Sequence, residues 1–520
     1  MTGPTPPPAS TPANAPVDAP GGGSSKGYLA STVKHGLVYF LGNVLGRIAG
    51  FIMLPVYTRL LTAADYGILE ILALSTDVLG MLAGLGIQQA VIRFYYQYTS
   101  DEDRGAVVST AAIIMWTMYG VIAIVGLTFS TRIAEVLLGP GDLAHFVQLA
   151  VVAFAVGAIG DVPGVYFQAK QDSRTSVTAS FARLVLALSL NILFVVVLRM
   201  GVAGIFLSTI ISSVVVGGFM AVWVMRRTGI RFVPRIAREL VGFGSPLIFS
   251  QIGSFALHFS DRYFLRHFQT LAVVGLYSLS YKFAMLLAMF VTGPFHTIWN
   301  PKALEIDVRE GPRAPEILRS ILKQYNLVLV TTALGIALFA TDVIHIVLGQ
   351  DFHAADRAVP LLTLGIVFFC YRPISQTGAM IAKRPGYIGS ITSFAAVLAL
   401  VMNLLFIPRW GAMGAAASTA ISFGIEFLMM LAMSERVYRI GITVRELFAP
   451  LLVAAAVWAA TVLVVPADAS PVTGLAVRIA AVGVYALVLS ATGILTPAAW
   501  RMLLRSARDP RAMLKALRSA

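Results

Sequence analysis

One pattern is written twice in this chain, the second copy about 210 residues after the first. Segment Asn191 to Phe194 reads NILF and is followed by GVAG from Gly201 and by Ser208-Thr209; segment Asn403 to Phe406 reads NLLF and is followed by GAMG from Gly411 and by Ser418-Thr419. Upstream, Ser180-Phe181-Ala182 and Ser393-Phe394-Ala395 each lead into an apolar run, with Lys170 and Lys383 further back. The offsets are 213 for the lysines (383 − 170), 212 for the asparagines (403 − 191) and 210 for the glycines (411 − 201). One shift accounts for all of them, which implies a duplicated structural unit. If each copy holds an even number of membrane crossings, the two keep the same orientation, are related by an axis along the membrane normal, and enclose a substrate site between them. The duplication therefore predicts a two-lobed transporter.

The units are membrane-spanning. Over 520 residues, 58% are hydrophobic and only 12% charged, with a mean hydropathy of +0.81, far outside the range of soluble domains. Apolar stretches of about 20 residues, the length of a helical crossing, fall at 36–57, 66–93, 106–127, 143–167, 175–198, 202–225, 240–264, 273–298, 321–345, 358–380, 387–407, 412–433, 447–466 and 473–495. The expected fold is an all-α polytopic membrane protein of about fourteen spans, six in each repeat and two beyond. The expected organisation is a disordered cytoplasmic leader at 1–30, an N-lobe at 31–227, a C-lobe at 228–435, two further spans at 436–497 and a basic tail at 498–520.

Charge sets the orientation. With the N-terminus inside, about 27 basic residues fall on the cytoplasmic side, about 7 outside and about 5 within spans, as the positive-inside rule requires. Both termini are then cytoplasmic. The net charge of +14 is explained by orientation and by anionic lipid headgroups, without a nucleic-acid partner. The single cysteine, Cys370, can form no intrachain disulfide.

The loops exclude other functions. External loops are short, leaving no room for a catalytic domain, and an enzymatic activity is not expected. There is no GxxxxGK[ST] loop for direct ATP drive, and no HExxH, paired cysteines or histidine cluster for a metal. No cofactor is expected. Ion gradients or coupling to later synthesis must then supply any energy.

Charges inside spans carry the chemistry, because an ionised side chain at mid-bilayer costs at least about 2.5 kcal/mol and so faces a cavity or a partner. Arg47 lies in span one. Glu70 and Asp77 share one face of span two; His258 and Asp261 share a face of span seven, which ends in Arg262 and Arg266; Lys282 is in span eight. Arg183, Arg372, Glu426 and Arg478 are single charges in later spans, and Arg59 and Arg93 lie near span ends. For Arg59, Arg93, Arg262 and Arg266 the plain alternative is snorkelling to headgroups; for Glu70 it is a structural ion pair. The excess of bases in spans one, seven and eight suggests an anionic substrate, and a diphosphate suits the guanidinium fork and the mobile ammonium. Candidate binding residues are Arg47, Arg59, Arg262, Arg266, Lys282 and Arg372. Glu70, Asp77, His258 and Asp261 are candidates for proton or sodium coupling.

The run GRIAGFIMLPVYTRLLTAADYG, Gly46 to Gly67, resembles the N-terminal signature of the O-antigen and exopolysaccharide repeat-unit flippases of the multidrug, oligosaccharidyl-lipid and polysaccharide exporter superfamily. DRYFL from Asp261 and VGLYSLSYKFA from Val274 resemble the matching stretch of that family's second half, and Gly67 and Gly275 are 208 apart (275 − 67). The resemblance implies two six-helix lobes around a central cavity, here with two C-terminal spans added. It implies movement of undecaprenyl-diphosphate-linked oligosaccharide from the cytoplasmic to the outer leaflet of a bacterial inner membrane, for O-antigen, exopolysaccharide or capsule, with a polymerase and export machinery as further partners. Arg47, Arg59, Asp261 and Arg262 are the cavity and gate residues it implies. A peptidoglycan-precursor flippase and a cation-coupled drug exporter of the same fold remain open, as does a membrane glycosyltransferase or polymerase.

Overall fold

The computed structural model describes residues 50–465 and 471–494; Arg47, the expected leader and the expected basic tail lie outside them. Among the described residues the chain is helical with no strand. Ten helices there are long and apolar enough to cross a membrane. Two of these stretches, Leu271–Val347 with 77 residues and Gly386–Val437 with 52, are each long enough for two crossings. The first turns at Gly311 (φ +51) and the second at Gly411 (φ +54). Span seven, Pro234–Phe268, bends by 47° between Pro246 and Gln251, where proline removes a backbone hydrogen bond.

The duplicated motifs have a physical role at helix starts and turns. Thr62 caps span two by accepting from the Asp65 N–H, and the Asp65 carboxylate accepts from the Thr62 N–H, a reciprocal capping box. Thr270, 208 residues later (270 − 62), caps span eight through the Val273 N–H. The turns into spans six and twelve use Gly201 (φ +58) and Gly411 (φ +54), backbone conformations open to glycine because it lacks a Cβ.

The lobes meet along spans two and eight through a glycine pair. A Cβ on Gly67 would lie 2.0 Å from the Leu271 carbonyl oxygen, and a Cβ on Gly275 would lie 2.1 Å from that of Ala63. The two contacts exchange equivalent residues, Ala63 with Leu271 and Gly67 with Gly275 each standing 208 apart (271 − 63, 275 − 67), the reciprocity that a two-fold relation between equivalent elements creates. Small residues at a crossing let two backbones touch.

A second reciprocal contact closes one end of the molecule. The Arg266 Nη2 donates to the Leu138 carbonyl at 2.5 Å, fixing the hairpin after span three to the end of span seven. In mirrored fashion the Gly349 N–H donates to Thr58 Oγ1 at 3.2 Å, fixing the hairpin after span nine to the end of span one.

The last two spans are pinned to span nine. Arg319 forks onto Glu446 with two bonds of 2.9 Å, Lys323 joins it at 2.9 Å, and the Asn326 amide donates to the carbonyls of Glu446 and Leu447. Arg478 in span fourteen pairs with Asp342 in span nine, so this charge is structural. Arg478→Ala is expected to lower the melting temperature in detergent, by the equivalent of about 2 to 3 kcal/mol for a carboxylate left without its partner at membrane depth. Adding Asp342→Asn should recover most of the loss, with transport per folded molecule unchanged in both variants.

Candidate functional site

The intramembrane charges separate into four groups. The first bridges the lobes. Lys282 Nζ donates to Glu70 Oε2 at 2.9 Å and to the Tyr66 hydroxyl at 2.8 Å, joining span eight to span two, with the lysine side chain 39% exposed. Ser75 and Tyr263 add a second contact between the lobes at 3.1 Å.

The second group is sealed inside the C-lobe. Asp261 Oδ1 accepts from the Arg262 N–H at 2.9 Å and from Nη1 at 2.6 Å, and Oδ2 accepts from the Tyr277 hydroxyl at 2.5 Å, with Thr419 3.4 Å away. Arg262 is 1% exposed and its guanidinium sits 3.9 Å from the Tyr281 ring centroid. This cluster ties spans seven, eight and twelve together. His258 packs beside it against Phe369 and Phe423, with Nδ1 2.8 Å from the Ser254 carbonyl.

The third group joins spans ten, eleven and twelve. Arg372 lies 3.6 Å from Glu426, which accepts from the Thr392 hydroxyl at 2.8 Å, and the guanidinium covers the Phe369 ring at 4.5 Å. Its Nε is buried without a protein partner. The fourth group lines an N-lobe cavity of about 380 Å³ that includes Asp77, Asp161, Arg183 and Tyr119.

The remaining candidates lie at the rim. Arg59 is exposed where span one ends, and Arg266 holds the Leu138 carbonyl. The structure thus gathers Glu70 and Lys282 into one pair, Asp261 and Arg262 into another, and sets Asp77 apart from both. Asp161 and Tyr119 were not among the residues singled out from sequence. Asp161 carries a signal, being a carboxylate within the apolar run 143–167; Tyr119 is one aromatic among many.

Two lobes related by a repeat, with buried charge pairs at and beside their contact, make up a polytopic membrane protein. The chain belongs to the polysaccharide biosynthesis protein family, whose model matches residues 32–302. It is 21% identical over 399 residues to a protein of Haloferax volcanii described as a probable low-salt glycan biosynthesis flippase, covering 75% of this chain and 80% of the relative. The fold is similar to that of a lipid II flippase in an inward closed conformation, with a TM-score of 0.71 at 12% identity over 89% of this chain and all of that one. It is also similar to an inward-facing multidrug resistance transporter of the MOP superfamily, with a TM-score of 0.60 at 16% identity over 76% of this chain and 94% of the other. The protein is thus a multi-pass membrane protein of the polysaccharide biosynthesis protein family, with a fold similar to those of a lipid II flippase and a multidrug transporter.

Proposed function

We propose that the protein moves undecaprenyl-diphosphate-linked oligosaccharide from the cytoplasmic to the outer leaflet of a bacterial inner membrane, with both termini cytoplasmic, for assembly of a surface polysaccharide. The observation that carries this reading is the placement of Lys282. An ammonium that bridges the two lobes through one carboxylate, on a side chain 39% exposed, can exchange that carboxylate for phosphate. Arg372, with a buried guanidinium edge lacking a partner, supplies a second donor to the diphosphate from the C-lobe. Binding of the diphosphate releases Glu70, loosens the contact between the lobes, and lets spans two and eight separate at the Gly67–Gly275 crossing.

In this scheme the reciprocal seal at Arg266–Leu138 and Thr58–Gly349 is the outer gate, closed in the present conformation. Arg59, exposed beside it, meets the headgroup as it leaves. Asp261 and His258 belong to the buried C-lobe cluster, where Asp261 is held by Arg262, Tyr277 and Thr419; any coupling ion there must displace one of those partners.

Lys282→Ala and Arg372→Ala are each expected to reduce surface polysaccharide in cells at least tenfold, corresponding to the loss of about 1.5 to 3 kcal/mol of charge-assisted hydrogen bonding to the diphosphate. Each change also strips a buried carboxylate, Glu70 or Glu426, of its counter-charge, so the tenfold loss is read per folded molecule in the membrane. Normal polysaccharide in both variants would remove the diphosphate clamp.

A further inference from the structure

We infer that the N-lobe cavity is a glycan subsite, in which Asp77, Asp161 and Arg183 hydrogen-bond sugar hydroxyls against the Tyr119 and Phe154 rings. The inference rests on the flippase reading and adds where the sugar is read. The cavity of about 380 Å³ is bounded by spans two to six, and its volume lies within the roughly 300–1,000 Å³ of small-ligand sites.

Among the described residues none of its charges forms an ion pair within 4.0 Å, whereas the carboxylates at the lobe contact and in the C-lobe do. Glu70, Asp261, Glu426 and Asp342 each have a basic partner within 4.0 Å. Among the described residues, Asp77 has no hydrogen bond or ion pair. Asp161 meets the Tyr119 hydroxyl at 3.4 Å, and Arg183 donates to Ser213 at 2.8 Å. Asp161 and Arg183 line one cavity without forming an ion pair with each other. Charged groups at membrane depth that do not pair with one another imply a polar occupant.

The duplication sharpens the contrast. Pro163 and Pro373 are 210 apart (373 − 163); Asp161 stands two residues before the first and Arg372 one before the second. At this register Asp161 matches Tyr371, whose neighbour Arg372 pairs with Glu426 at 3.6 Å, whereas Asp161 has no ion pair within 4.0 Å among the described residues. Ser213, the partner of Arg183, begins a π-helical turn running to Gly217, an irregularity often found at functional sites.

The chemistry selects the occupant. Two carboxylates accept hydroxyl hydrogens, a guanidinium donates to hydroxyl or ring oxygens, and the Tyr119 and Phe154 rings, stacked with centroids 4.5 Å apart, offer an apolar wall to a sugar face. Two acids disfavour an anion, and the guanidinium disfavours a metal cation. Among the described residues no group of three or more acidic, His or Cys side chains forms a metal site. A neutral polyhydroxylated group fits, and it places the sugar on the N-lobe while the diphosphate sits on Lys282 and Arg372.

The test is a binding titration of the full-length protein in detergent with two lipids, bare undecaprenyl diphosphate and the undecaprenyl-diphosphate oligosaccharide extracted from the source cells. Wild type should bind the glycosylated lipid more tightly. Asp161→Asn and Arg183→Gln should each weaken that binding about tenfold or more while leaving the bare lipid unchanged, and Tyr119→Phe, which keeps the ring, should have a smaller effect. Lys282→Ala should weaken both lipids alike. Equal losses for both lipids in the cavity variants, no loss for either, or equal wild-type affinity for the two lipids would overturn the subsite and leave the flippase reading standing. Wild-type protein that binds neither lipid would remove that reading and the subsite with it.

Discussion

Replacing Arg262 with methionine is expected to remove most of the folded protein from the membrane, and adding Asp261→Asn in the same chain to bring much of it back. Asp261 is 4% exposed and Arg262 1%, and they share a hydrogen bond of 2.6 Å. Removing the guanidinium leaves a carboxylate with neither solvent nor counter-charge. Breaking one side of such a pair costs about 3 to 5 kcal/mol, whereas neutralising both members is often close to neutral. Against a typical net stability of about 5 to 15 kcal/mol, the single change is severe. Size-exclusion profiles and melting temperatures of the two variants in detergent check this. An Arg262→Met protein as stable as wild type would mean that the pair is dispensable and would reopen a direct substrate role for Arg262.

Gly67→Leu should be nearly as damaging, through geometry rather than charge. The first added carbon already lies 2.0 Å from the Leu271 carbonyl oxygen, and backbone cannot yield as a side chain can. Spans two and eight must then separate, carrying Lys282 away from Glu70. Overpacking usually costs about 1 to 3 kcal/mol, but here it acts at the contact between lobes, so transport is expected to fall further than stability. Gly275→Leu should reproduce the effect because the contact is reciprocal, whereas Gly50→Leu, where an added Cβ meets nothing within 4 Å among the described residues, should be tolerated. Unimpaired transport by Gly67→Leu would show that this crossing is not part of the working cycle.

The repeat made the architecture legible. Capping threonines at 62 and 270 and turn glycines at 201 and 411 were set by local chemistry that a sequence displays directly. Asp65, near the end of the Gly46 to Gly67 run, closes a capping box, a role its spacing from Thr62 contains. The pairing of the charges was not legible, because partners such as Glu70 and Lys282 stand 212 residues apart and meet only when the lobes assemble. Asp261 and Arg262 show the opposite difficulty. Adjacent residues on a helix normally diverge, yet here the aspartate accepts from both the backbone and the guanidinium of its neighbour. Enclosure by Tyr277, Tyr281 and Thr419 from two other spans produces that geometry, and nothing in the local sequence announces it. The separation of Asp77 from Glu70 was equally hidden: seven residues apart on one helix face, one reaches across to the C-lobe and the other into the N-lobe cavity.

The most direct measurement is transbilayer movement of a fluorescent undecaprenyl-diphosphate oligosaccharide in liposomes containing the purified protein, with a cationic dye assayed in parallel. Movement of the lipid-linked sugar, lost in Lys282→Ala, is expected, with no movement of the dye. Movement of the dye alone would contradict the flippase reading and make the protein a drug exporter built on the same fold.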